Sequence, residues 1–289
     1  MTGRWPGNRP GPVAVADPRV GRGPPSPWPP GPGLECYPAR DWATTQPETG
    51  VLLITVAEPV SVYAVELHTH SAASYDGWDP VERLLARARD EGLDALAVTD
   101  HDEIDASLRA AEIADEYGLV GIVGIEISTA AGHLLALDVS EAIEPGLPFT
   151  ETIDRIHDQG GIAVVPHPFQ EMRNGVIENV TTDELRKADA IEVYNSRLVT
   201  GYSNHQARRF ARKHGMPMAA GSDAHVSDMV GRAVTLVDAT EPTATGICAA
   251  IREGRTTLRT RRTPFLVSFR QAVGNTRRRV RMFVSGLFE

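Results

Sequence analysis

Lysine is nearly missing from this 289-residue chain: Lys187 and Lys213 are the only two, and arginine supplies the rest of the 29 basic residues. Cysteine is as rare, with Cys36 and Cys248 far apart in sequence. Two distant thiols build no disulfide framework and no sulfur-rich metal site, so both are expected to be reduced, as in a cytoplasmic protein. No stretch approaches the roughly 18 consecutive apolar residues of a membrane-spanning helix, and no basic-then-apolar leader opens the chain. Hydrophobic residues at 42% and charged residues at 23% are ordinary for a globular protein.

Charge is unevenly spread. Residues 51–254 carry 15 Lys and Arg against 33 Asp and Glu, a net of −18, while residues 255–289 carry nine Arg against the single Glu289. An acidic body argues against broad, non-specific nucleic-acid binding. The Arg-rich end, with "LRTRRTPFLVSF" and "NTRRRVRMFVSGLF", interleaves arginine with aromatic and aliphatic residues. Such a tail suits short nucleic-acid ends, an anionic lipid surface, or the chain's own acidic body.

Residues 1–38 hold 11 of the 21 prolines, a composition that cannot build a packed core. Residues 1–61 are therefore expected to be a Pro/Gly-rich extension outside the fold. From Val62 the pattern alternates. Short β-rich runs at 62–67, 94–99, 120–125, 133–139, 162–166, 190–194, 217–221 and 232–237 are separated by helical patterns at 80–91, 104–117, 149–159, 181–188, 203–214 and 241–253. Asp79-Pro80 and Thr181/Thr182 mark helix starts, and Gly92, Gly118, Gly160 and Gly215 mark helix ends. This alternation predicts parallel βα units in a barrel or a doubly wound sheet, spanning 62–240, with a C-terminal helix and tail over 241–289.

In parallel α/β folds functional groups gather at the C-terminal ends of strands. His68, His70 and Asp76 follow the first run, and Asp100, His101 and Asp102 the second. Glu126 follows the third, and His133 opens the fourth. His167 follows the fifth, Asn195 the sixth, and Asp223 and His225 the seventh. Residues this far apart meet only if the fold closes. Alternation along a strand puts His68 with His70, and Asp223 with His225, on common faces. Imidazole and carboxylate ligands without cysteine suit zinc, manganese or iron. Nine candidate ligands (His68, His70, Asp76, His101, Glu126, His133, His167, Asp223, His225) exceed the needs of one ion, so two or three divalent ions are expected, with Glu126 able to bridge. Adjacent ions clamp phosphate and lower the pKa of water from 15.7 towards about 7. His157, His205 and His214 fall in helical patterns.

At "ELHTHSAASYDG", "AVTDHDEI", "GIEIS" with "GHLLAL", "VVPHP" and "AAGSDAH" the sequence resembles the PHP (polymerase and histidinol phosphatase) family, in particular its small stand-alone phosphoesterases such as nucleoside 3′,5′-bisphosphate phosphatases. The segment "GRAVTLVDATEPTATGICAAIREGRTT" resembles the C-terminal extension of such proteins. The resemblance implies a distorted seven-stranded (βα) barrel with a trinuclear centre, in which manganese is favoured for activity. One metal would be held by His68, His70, Glu126 and Asp223, a second by Glu126, His133 and His167, and a third by Asp76, His101 and His225. Asp100 would orient a ligand histidine from behind, and Asp102 would do likewise or cap the following helix.

The implied reaction is phosphomonoester hydrolysis by a metal-bound hydroxide held through Glu126, His133 and His167. Arg173 and Arg197 are expected to grip phosphate, since the guanidinium fork matches it, with Asn195 and His205 as further substrate contacts. Alternatives are a 5′-to-3′ exonuclease on short RNA or DNA, a histidinol-phosphatase-like enzyme and, least favoured, a non-catalytic PHP module. That last reading predicts eroded ligand positions, and here each is filled.

Overall fold

A computed structural model of the protein describes residues 61–170, 175–197 and 201–262. Nine strands form one sheet in the order β7-β6-β5-β4-β3-β2-β1-β8-β9. In chain order the elements are β1 (Ser61–Glu66), α1 (Val81–Asp90), β2 (Ala95–Val98), α2 (Asp105–Ile113), β3 (Val120–Thr129), β4 (Gly132–Leu137), α3 (Phe149–Asp158), β5 (Ile162–Val165), α4 (Thr182–Leu185), β6 (Ala190–Asn195), α5 (Tyr202–His214), β7 (Met218–Gly221), β8 (Ala233–Ala239), α6 (Ala244–Arg252) and β9 (Thr256–Thr260). All six helical patterns therefore form helices. Among the described residues no helix is long and apolar enough to cross a membrane.

The sheet curls into a nearly closed barrel. Beyond β1 and β7 the chain pairs again at Thr69 and Ala224 in parallel, with His70 N–H donating to Ala224 O at 2.7 Å. At the other end the gap is filled by β8, antiparallel to β1. There Thr235 accepts the N–H of Ala220 at 2.9 Å and donates to its carbonyl at 3.0 Å, standing in for a strand ladder.

One expectation is corrected. The strands are not all parallel: β3 and β4 form an antiparallel hairpin, and β4 also runs antiparallel to β5. That reversal explains why His133 lies at the beginning of its strand while the other ligand candidates follow theirs. Helix starts are also mixed. Thr181 and Glu184 form a reciprocal capping box, whereas Asp79 caps nothing: Pro80 takes the N-cap position, and Asp79 Oδ2 accepts the N–H of Ser227. Gly92, Gly118, Gly160 and Gly215 end their helices at φ of 67, 71, 82 and 66°.

Ile122, Leu135, Ala190 and Ala219 join Ile247, Cys248 and Ile251 of α6 in one apolar cluster. Because β8 leaves the sheet where Ala239 pairs with Ser61, α6 covers the barrel end at which β1 begins. Counting along the strands from the same inward faces, with a period of two, reaches Glu126, His133, Glu192 and Asp223 at the opposite end.

Candidate metal centre

Glu126 is the hub. Its Oε2 lies 3.1 Å from His68 Nε2 and 3.1 Å from His70 Nε2, and its Oε1 lies 2.7 Å from His133 Nδ1 and 3.2 Å from His167 Nε2. A second focus forms where His225 Nε2 stands 2.5 Å from Asp76 Oδ2. Ligand atoms within 4.8 Å of one another form four overlapping groups: His70, Asp76, His101 and His225; His68, His167 and Asp223; His68, His70 and Glu126; His101, Glu126 and His133. All nine ligand candidates enter at least one group. The barrel holds them tightly: His167 and Asp223 sit at φ of 30 and 51°, in left-handed backbone that costs non-glycine residues energy and clusters at functional sites. The loop bearing Asp76 closes on itself at Gly77, where a Cβ would lie 1.9 Å from Ser71 O.

Burial of Glu126 by itself would raise its pKa, but His68, His101 and His133 hold it well below the ordinary 4.5. Burial disfavours a charged His68, yet Glu126 and Glu192 carry it well above 6.5. Burial and the neighbouring His225 push His70 down to about 3. The His70 ring lies 4.3 Å from that of His225 and 4.8 Å from that of His101, packing that favours a neutral His70. Both ring nitrogens of His70, with Nδ1 of His101 and of His167, are buried without a well-formed hydrogen bond. Buried polar atoms normally find partners, and orphaned imidazole nitrogens beside carboxylates are what divalent cations satisfy. The donor set fits such ions.

The comparisons agree with this chemistry. The PHP domain family model matches residues 66–196 and the PHP-associated model matches residues 201–256. The chain belongs to the PHP family. An uncharacterized protein of Methanocaldococcus jannaschii is 32% identical over 152 residues, 49% of this chain and 87% of that protein. A crystallised two-domain protein from Bacteroides vulgatus, containing a predicted PHP-like metal-dependent phosphoesterase, superposes with a TM-score of 0.59 at 22% identity, over 70% of this chain and 66% of that one. A lesion-specific endonuclease from Pyrococcus furiosus superposes with a TM-score of 0.51 at 16% identity, over 68% of this chain and 58% of that one. The PHP phosphoesterase fold is thus shared with both solved structures.

Within this PHP barrel several expected roles change. Asp100 accepts from the backbone N–H of Ser71 at 2.6 Å and from its hydroxyl at 2.5 Å; it fixes the turn after His70 instead of steadying an imidazole, and burial pushes it up to about 6. Asp102 Oδ1 accepts the N–H of Ser128, and the next helix has Ile104 at its N-cap without a side-chain cap. Asn195 is 1% exposed; its Nδ2 donates to Glu192 Oε2 at 3.0 Å and to Asp223 Oδ2 at 3.2 Å, so it supports the centre from behind. Arg197 Nη1 stands 3.1 Å from Asp223 Oδ1 and 2.8 Å from His225 Nε2, at the centre's edge. His205 is exposed on α5 and enters none of the four groups. Arg173 lies outside the described residues, as do residues 1–60 and 263–289.

Two buried carboxylates were missed. Glu66 binds Ser222 through both backbone and hydroxyl and accepts the N–H of Gly231 at 3.0 Å, and burial pushes it up to about 7. Glu192 lies 3.1 Å from His68 Nδ1. The available signal was an acidic residue inside an otherwise apolar parallel strand, a rare placement without a partner.

Proposed function

We propose that this PHP protein is a metal-dependent phosphoesterase that hydrolyses phosphomonoesters of small nucleotides such as nucleoside 3′,5′-bisphosphates. The observation that carries the reading is the convergence of nine imidazole and carboxylate side chains, from strand ends far apart in sequence, into four overlapping groups, two of which include Glu126. His68, His70, Glu126 and Asp223 would hold one divalent cation, Glu126, His133 and His167 a second, and Asp76, His101 and His225 a third; bound there, such ions would supply Lewis acidity towards phosphate oxygens and acidify water. Manganese, zinc and iron all suit these ligands, and manganese is the one we favour for activity.

The chain's own residues contribute position and charge. Glu126, with two oxygens facing different histidines, ties the groups together. Arg197 brings a guanidinium to the edge of the centre, where its forked donors match a phosphate. Tyr75 is 60% exposed, and its ring stacks on His101 at 4.8 Å with an interplanar angle of 20°. An aromatic face at the mouth of the site suits a nucleobase.

The test is phosphate release from a nucleoside 3′,5′-bisphosphate, histidinol phosphate and a 5′-phosphorylated oligonucleotide with Mn²⁺, before and after chelation. Fastest turnover of the bisphosphate, abolished by chelator and restored by Mn²⁺, is expected. Mononucleotides released from the oligonucleotide faster than phosphate from the bisphosphate would make the enzyme an exonuclease, and no hydrolysis of any of the three substrates would end the phosphoesterase reading.

A further inference from the structure

Glu192 stands on β6 at 2% exposure, among apolar neighbours and outside every motif that carries the family resemblance. Its two oxygens have separate tasks. Oε1 lies 3.1 Å from His68 Nδ1, and Oε2 accepts the backbone N–H of His167 at 2.9 Å and Asn195 Nδ2 at 3.0 Å. The same Asn195 nitrogen reaches Asp223 Oδ2 at 3.2 Å. One carboxylate therefore touches His68 and His167, and through a single amide Asp223. Those three residues make up one of the four converging groups.

The fold also makes room for this contact. A Cβ at Gly221 would lie 2.2 Å from Glu192 Oε1 and 2.5 Å from His68 Cβ, so any larger residue displaces the carboxylate or the ring. Because a carboxylate only accepts, the proton in the contact belongs to His68 Nδ1. Nε2 of the same ring, 3.1 Å from Glu126 Oε2, then faces the centre as the ligating atom. Held on its other oxygen, His167 keeps its backbone at φ 30°.

We propose that Glu192 is the positioning residue of this centre: it holds His68 with Nδ1 protonated and anchors His167 and Asn195, so that side chains from three strand ends are held in place around the divalent-cation centre. The proposal rests on the metal-dependent reading of the site, and deepens it.

The test uses the full chain stripped by chelator and titrated with Zn²⁺ alone by calorimetry. In Glu192→Gln the amide oxygen is drawn to the two N–H donors of His167 and Asn195, which turns the NH₂ group towards His68 Nδ1. Zn²⁺ affinity is expected to fall by about 10- to 100-fold, the usual effect of losing a group that orients a metal-bound imidazole. A cooperative melting transition in chelator checks that the variant still folds. Gly221→Ala, which leaves the carboxylate in place but crowds the contact, is expected to weaken Zn²⁺ in the same direction. Ring ¹⁵N spectra of the Zn²⁺-loaded wild type, with His68 assigned by loss of its signals in His68→Gln, should show the proton on Nδ1. A proton on Nε2 overturns the proposal, and this readout needs no Glu192 variant to fold. Unchanged Zn²⁺ affinity in Glu192→Gln and Gly221→Ala also overturns it while leaving the phosphoesterase reading intact. Failure of the wild type to bind either Zn²⁺ or Mn²⁺ defeats both.

Discussion

At the scale of single residues the centre is a set of opposed titrations, and their signs predict how the metal-free protein responds to pH. His68, His133 and His225 are raised above the ordinary 6.5. Burial opposes the charge on each, and it is overcome by Glu126 and Glu192 for the first, Glu126 for the second, and Asp223 and Asp76 for the third. A raised imidazole stabilises the fold below its unfolded value near 6.5, and that contribution disappears as pH climbs through the folded value. Glu126 and Asp223 are lowered well below 4.5 and 3.8, so their contribution is present above those values and is lost in acid. With chelator present, the urea midpoint should therefore be highest between about pH 4.5 and 6.5 and decline on either side. Added Zn²⁺ should reverse the alkaline decline, because metal binds deprotonated imidazole and its affinity rises with pH. A midpoint that rises steadily to pH 9 in chelator would contradict these assignments. Cys248 gives a simpler check: burial inside α6 pushes its thiol far up. In a Cys36→Ser chain, a thiol reagent should leave the native protein unlabelled and label one equivalent in denaturant.

At the scale of elements, the barrel's weakest join is the one between β7 and β8, which do not pair as neighbours in the sheet. Thr235 bridges it with one hydroxyl that serves both the N–H and the carbonyl of Ala220. Thr235→Val keeps the volume and removes both bonds, leaving two buried backbone groups unpaired. The expected cost is about 1 to 3 kcal/mol in urea unfolding, and a neutral result would mean that the strands find another closure. Elements also show where sequence reasoning succeeds and where it stops. Helices were legible because their apolar spacing and terminal glycines are local signals, as at Gly118 and Gly215. The direction of β4 was not, because "GHLLAL" reads the same parallel or antiparallel, and only its partners β3 and β5 decide. The Asp79-Pro80 start misled for a related reason: the Asp79 side chain is claimed by the distant Ser227 N–H.

At the scale of the whole molecule, the grouping of ligand candidates was visible in the chain because strand ends in a closed α/β barrel share one mouth. What pins them was hidden. Glu66 and Glu192 act through contacts 156 and 124 residues away in sequence, with Ser222 and His68 respectively, and no local pattern encodes such pairings. The division of charge between an acidic body and an Arg-rich end raises a further question of scale, whether the end takes part in catalysis. Among the described residues every side chain of the centre comes from residues 68–225, and the last strand is β9, antiparallel to β8. Removing residues 263–289 should therefore leave β9 paired with β8 and turnover of a nucleoside bisphosphate within about twofold of the full chain, the range of changes that leave the described site intact. The same truncation should weaken a 5′-phosphorylated oligonucleotide more at low salt than at high salt if the arginines meet phosphates, because each phosphate contact releases a counterion. Oligonucleotide affinity that is unaltered at every salt concentration would return the arginines to a role on the protein's own acidic surface. A loss of mononucleotide turnover would instead bring them to the mouth of the barrel.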